Sequence, residues 1–324
     1  MLLACAACAR PEPGAAGAQA EERRLPDPRV ILSAQLSHGI GASPFDSPLL
    51  QDSLAATIAV RARRCVAQAL LRQMVDATPG DKVLDQLVSD GVLVARGDRL
   101  CTTFPILIGP DREAYASVAQ AIAHDLRVEL GAEFASLLGM VEARGWRDWQ
   151  YHFLWSQLFD SQYAWVEMTQ RNLVPPLHQL IAWSIHPDHP FRSGTNYYPD
   201  NELRDHWVMV SWRAGGSNTA GILGNVWSLA YDAAVHDSSL SAPDLARLSR
   251  AGLVDDRGRL ELPVLQASDP LVERLRLLSV RYVELLEERL PLDSLTVLTG
   301  VDPRHTFAMA YHDVSWDIVE ALVL

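Results

Sequence analysis

Two histidines 160 residues apart share their surroundings. Tyr151-His152 lies in "LLGMVEARGWRDWQYHFLW" and Tyr311-His312 in "VLTGVDPRHTFAMAYHDVSW", and the two stretches align without a gap. Imidazole exchanges its proton near neutral pH, so such a pair suits general acid–base chemistry. Asp160 and Glu320 follow the histidines by eight residues and could orient them. The competing expectation is a hydrogen-bonded Tyr/His pair in the core, recurring because the fold recurs. It is the favoured one, since buried polar groups normally find partners. His152, Ser156 and Asp160 sit at four-residue spacing and name the members of a hydrolytic triad. Side chains stacked along one helix do not reach triad geometry, and the chain has no GxSxG elbow.

A second concentration of polar groups runs from Ile185 to Trp207, "IHPDHPFRSGTNYYPDNELRDHW". His186, Asp188, His189 and His206 are metal-ligand types, but Pro187 and Pro190 exclude the i, i+4 presentation of HExxH. No metal site and no cofactor are therefore expected. Aromatic placement says more: Trp146, Trp149, Trp155, Trp165, Trp183, Trp207, Trp212 and Trp227 all fall within 82 residues, and Trp316 stands alone. Trp183, Trp207 and Trp212, with Tyr197, Tyr198, Arg192 and Arg213, could line a pocket that offers indole faces for stacking and guanidinium for an anion. The ligand would be a small molecule, a peptide or a cell-envelope component. The alternative is an aromatic core clamped between two halves, because large aromatics chiefly serve burial.

A net charge of −12 leaves the chain without the basic footprint of a nucleic-acid binder. Its start, "MLLACAACARPEPGAAGAQAEERR", resembles a bacterial lipobox followed by an Ala/Gly/Pro/Glu tether. The resemblance implies export and lipid anchoring through Cys5 or Cys8, and it makes the cell envelope the expected location. That lipid is then the one expected membrane contact. Cys65 and Cys101 lack CxxC spacing. They could pair in an exported protein, but buried free thiols are the expectation.

The elements that must position these groups read as two copies of one pattern. "LDQLVSDGVLVARGDRLCTTFPIL" from Leu84 and "LARLSRAGLVDDRGRLELPVLQ" from Leu245 each give a helix, a terminating glycine, and two apolar strands about a glycine turn. "TPGD" (Thr78–Asp81) and "SAPD" (Ser241–Asp244) supply N-terminal caps. Longer helical patterns precede them at 54–75 and 219–235. This order resembles the winged-helix fold, with units over about 54–108 and 219–266. DNA-binding winged helices present a basic recognition helix, whereas "DKVLDQLVSD" is acidic, so the resemblance implies fold without nucleic acid.

"RVILSAQLSHG" from Arg29 and "HWVMVSWRAGG" from His206 read as opening strands that could pair in a shared central sheet. Closing helices are expected over Arg147–Arg171, aromatic on nearly every side, and after Asp302-Pro303, with Phe307, Tyr311, Val314 and Ile318 as its apolar stripe. The chain thus divides into a signal and tether (1–28), a first repeat (29–170), a connector (171–205) that could lid the interface, and a second repeat (206–324). Helix-dominated α+β is the expected class. The leading functional expectation is an exported, lipid-anchored ligand-binding or scaffold protein with its cleft between the repeats. The alternatives are a hydrolase or metal-dependent enzyme using His152, His312 or the 186–206 loop, and a cytoplasmic winged-helix regulator or adaptor.

Overall fold

The computed structural model describes residues 27–32, 36–38, 47–74, 78–176, 181–185, 193–195, 206–207, 211–213, 229–230, 232–233, 240–250, 253–254, 257–260, 263, 265–266 and 268–323. They form a helix-dominated α+β structure with small sheets.

The first turn, α1 (Pro28–Ile31), stands where an extended strand is expected from Arg29. Asp27 accepts the Arg29 N–H, and the fixed φ of Pro28 suits a first helical position. The strand proper, β1, is only Leu36–His38. Helix α2 (Ser53–Ala62) starts where the Asp52 carboxylate accepts the N–H groups of Leu54 at 2.8 Å and Ala55 at 3.1 Å. Ala55, Ala56, Ile58, Ala59, Val60 and Ala62 are all buried.

The single helix expected over 54–75 does not form. Cys65 takes φ 56°, a left-handed conformation that ends helical winding. The chain then makes β2 (Val66–Ala67) and restarts as α3 (Gln68–Met74) and α4 (Thr78–Ser89). Cys65 and Cys101 form a disulfide across this break, which corrects the expectation of free thiols. The physical reason is register: β2 pairs antiparallel with β4 (Arg99–Thr102), Val66 opposite Leu100, so Cys65 just before Val66 comes opposite Cys101 just after Leu100. Closing a loop of 36 residues this way is worth roughly 4 kcal/mol in the chain-entropy account. Strand β3 (Leu93–Arg96) completes an antiparallel sheet in the order β2-β4-β3, and its turn to β4 is made at Gly97 with φ 63°. Ile58, Leu71, Leu84, Leu87, Leu93, Leu100 and Phe104 close one core beneath it.

A second core begins where β5 (Ile106–Leu107) pairs in parallel with β6 (Ile181–Ile185), which also pairs with β1. Two helices follow, α5 (Gly109–Glu129) and α6 (Gly131–Glu142). The continuous helix expected over 147–171 is interrupted. A 3₁₀ turn (Arg147–Trp149) and one α-turn (Gln150–His152) lead into a π-helical segment, Phe153–Phe159, and a new helix α7 (Gln162–Gln170) begins beyond it. The break falls at Ser161, whose hydroxyl accepts the Ala164 N–H and caps α7. Burial is concentrated in the middle of this stretch: every residue from Phe153 to Ser161 is buried, whereas 147–152 and most of 166–171 are exposed or half-buried.

Strands β7 (Ser193–Thr195) and β9 (Ser211–Arg213) pair with each other, as do β8 (His206–Trp207) and β10 (Leu265–Gln266). Among the described residues the two opening strands, β1 and β8, do not share a sheet. Helix α8 (Ala242–Arg250) starts at Ser241, which exchanges hydrogen bonds with Asp244 as the sequence pattern predicts. Val254 bridges Leu260 around Gly258 at φ 73°. The chain then builds α9 (Pro270–Arg289), α10 (Leu292–Thr299) and α11 (Pro303–Val323). The predicted stripe of Phe307, Tyr311, Val314 and Ile318 is fully buried. Among the described residues, no helix is long and apolar enough to cross a membrane.

Asp302 caps α11 as expected, accepting the Arg304 N–H at 2.9 Å. Partial burial pushes its carboxyl upward, but the hydrogen bonds and charge of Arg304 outweigh this and hold it below the usual aspartate range. Replacing it in Asp302→Ala should cost about 1 kcal/mol in urea unfolding at neutral pH. The deficit should shrink as pH falls through the lowered native value, where the wild-type cap itself becomes protonated.

Candidate functional site

Helix α11 carries its polar side chains into the protein rather than out to water. Thr306, His312, Asp313 and Ser315 are all buried, and each needs an internal answer. Tyr115 on α5 donates its hydroxyl to the Asp313 carboxylate at 2.6 Å. Tyr282 on α9 shares a 3.0 Å hydrogen bond with Ser315, which donates to the Tyr311 carbonyl at 2.6 Å. Tyr311 donates to the Phe159 carbonyl at 2.5 Å, tying α11 to the end of the π segment.

His312 lies at the centre of this seam, 1% exposed. Its ring centroid is 5.6 Å from Trp165 on α7, 5.7 Å from Trp183 on β6, 6.0 Å from Trp155 in the π segment, and 6.0 Å from Trp316 one turn along α11. Trp155 and Trp316 stack at 5.4 Å. Behind this indole box, Asp160 accepts the Trp165 ring N–H at 3.0 Å. The four indole planes are tilted by 32–47° to the imidazole. Further donors remain: the ring N–H groups of Trp155 and Trp183 and the Ser156 hydroxyl are buried and make no hydrogen bond among the described residues. A π-helical turn of this kind is rare and recurs at functional sites.

The histidines paired by sequence occupy different surroundings. His152 is only half-buried, 4.8 Å from the Trp149 ring and edge-on to Tyr151. Asp160, expected as its orienting acid, is engaged with Trp165 on the His312 side. Glu320 lies part-exposed near the end of α11. The triad geometry is not made, since no hydrogen bond joins Ser156 to His152.

Of the aromatic and arginine set, Trp183 is fully buried against His312 and Trp316, in the core. For Trp207, Trp212, Arg213 and His206 only the backbone is placed, in β8 and β9. Arg192, Tyr197, Tyr198, His186, Asp188, His189, Cys5 and Cys8 lie outside the described residues. Among the described residues, no cluster of three or more His, Cys, Asp or Glu is arranged to hold a metal ion. Sequence reading missed Trp316, Asp313 and Tyr115. Trp316 and Asp313 flank the flagged His312 and were legible as its helical neighbours. Tyr115 had no local signal, because its role comes from contact with a residue 198 positions away.

Comparison with protein-family models, with curated proteins and with solved structures found no match to this chain.

Burial drives the Tyr115 phenol far above its ordinary range, and the adjacent Asp313 carboxylate and its hydrogen bond push it further. Burial also raises Tyr282, against the opposing effect of the hydrogen bond it shares with Ser315. Unfolded phenols ionise near pH 10, so above that pH the unfolded state gains free energy that the folded state cannot. Stability should fall steadily from about pH 10 upward. Absorbance at 295 nm should leave at least two of the eight tyrosines un-ionised until the protein unfolds. Tyr115→Phe removes the donor to a buried carboxylate and should cost about 1–3 kcal/mol by chemical denaturation.

Proposed function

We propose that this is an exported, lipid-anchored protein that binds a ligand, or serves as a scaffold, through the seam between two duplicated halves. The observation that carries the reading is the indole-boxed His312, because both halves contribute to it. Trp155, Trp165 and Trp183 come from or just after the first, and His312 and Trp316 from the second. Such convergence of aromatic surface and buried polar donors is what orients a small molecule, a peptide or a cell-envelope component. The triad reading has less support, since Ser156 has no base within hydrogen-bonding reach.

Export draws support from the Cys65–Cys101 disulfide, because such bonds persist in oxidising compartments and are rare in the cytosol. The lipobox-like start is the other support. Duplication draws support from element order: a long helix, a shorter helix and a closing helical segment follow the β3-β4 hairpin, as α5, α6 and 147–170, and follow the Val254–Leu260 bridge, as α9, α10 and α11. The packing is reciprocal, with α5 against α11 and α9 against α7. Glu129 and Arg289, equivalent at the 160-residue offset, form an ion pair with each other, as residues beside a pseudo-twofold axis would. In the first half, α2-β2-α3-α4-β3-β4 with sheet order β2-β4-β3 fits a winged-helix-like unit.

Cell fractionation should recover the protein with membranes, and mass spectrometry should find an acylated Cys5 or Cys8. Soluble cytosolic recovery without acylation would sink the location. Titrating tryptophan fluorescence with peptidoglycan disaccharide-peptides and with phosphatidylglycerol vesicles should shift the spectrum for one of them, and less so in Trp183→Phe. A flat response to both, with native far-UV circular dichroism, removes ligand binding and leaves the scaffold role.

A further inference from the structure

The two cores are joined by the β1-β6-β5 sheet and, away from it, by one short stretch of backbone, Arg63-Arg64-Cys65, where each residue makes a different kind of contact. The Arg63 carbonyl abuts Gly300, the left-handed cap of α10; a Cβ on Gly300 would lie 2.7 Å from that oxygen. The Arg64 guanidinium donates to the carboxylate of Asp111, a buried residue in the first turn of α5. Cys65 is bonded to Cys101 on β4, and its carbonyl accepts the Arg99 Nε–H at 2.8 Å. Gly300 and Asp111 belong to elements of the second core, while Cys101 belongs to the sheet of the first. Cys65, at a left-handed φ, bonds to β4, while the Arg63 carbonyl and the Arg64 side chain meet the other core.

We propose that the Cys65–Cys101 disulfide is a redox-controlled clamp on this joint, so that Arg63 and Arg64 are held against Gly300 and the start of α5 only under oxidising conditions. With both thiols reduced, the strained turn at Cys65 has no covalent anchor, and the arginines beside it lose their fixed approach to Gly300 and Asp111. This rests on the export reading for its biological setting: the chain would cross the membrane undocked and lock afterwards. Cys101 is 1% exposed and Cys65 part-exposed, so exchange begins at Cys65. The Cys65 thiolate attacks the disulfide of an oxidant RSSR and expels one thiolate. The Cys101 thiolate then attacks the mixed disulfide and expels the second. Two protein thiols lose two electrons and two protons, and RSSR becomes two RSH.

Hydrogen exchange read by mass spectrometry, on the full chain with and without a dithiol reductant, tests this directly. On reduction, amides at 109–113 and 299–303 should exchange on the order of tenfold faster or more, while α2, β3, β4 and α9 keep their protection. The double variant C65S/C101S should reproduce the reduced pattern in both redox conditions. Gly300→Ala, which crowds the joint without touching either sulfur, should open the same amides in the oxidised protein. Loss of protection confined to 53–102 overturns the clamp, because the disulfide would then staple only its own sheet. So does loss across the whole chain, and so does an unchanged pattern. The export reading fails separately, through cytosolic recovery with both thiols free, and that result leaves the exchange measurement intact.

Discussion

A helix enclosed by protein on all sides cannot leave its polar groups to water, and α11 is such a helix. From Thr306 to Ser315 every side chain is buried, apolar and polar alike. Each hydroxyl, carboxylate and imidazole along it must be answered by another element, and those answers hold the second core in place. Tyr115 brings α5 to Asp313, Tyr282 brings α9 to Ser315, and Tyr311 reaches the last carbonyl of the π segment. Buried hydrogen bonds are modest in net worth, but losing one partner strands the other in low dielectric. The network therefore specifies one arrangement of these helices where apolar packing alone would tolerate several.

The same enclosure explains why the two flagged histidines differ. His312 lies where α11 is covered by the π segment, α7 and β6, so indoles surround it. His152 lies at the start of the corresponding segment, on a 3₁₀-to-α turn that leaves it half-buried beside Trp149. Related positions in sequence became unlike positions in space because covering elements, not the residue itself, set burial.

Much of the local structure was legible from residue chemistry. Asp302-Pro303 opens a helix, Ser241 caps another, Gly91, Gly97 and Gly258 take positive φ, and the stripe from Phe307 to Ile318 is buried. These follow from rules acting over three or four residues. The misreadings lie where longer-range contacts decide. A helical pattern over 54–75 was broken by a left-handed Cys65 bonded to Cys101, and an aromatic run over 147–171 wound partly as a π-helix. Periodicity reports which residues want burial, and it is silent on where a turn must be spent to reach a distant partner.

By itself the sequence determined that the chain is helix-rich, that Tyr311 and Phe307 point inward, and that eight of nine tryptophans fall within residues 146–227. It could do so because capping, glycine conformation and hydrophobic spacing are local properties. Only the tertiary structure decided that His312 would be boxed by four indoles, that Asp160 would serve Trp165 rather than any triad, and that the two inner cysteines would bond. Those outcomes depend on strand register and on helices packed across more than a hundred residues of chain, and no local pattern carries that information.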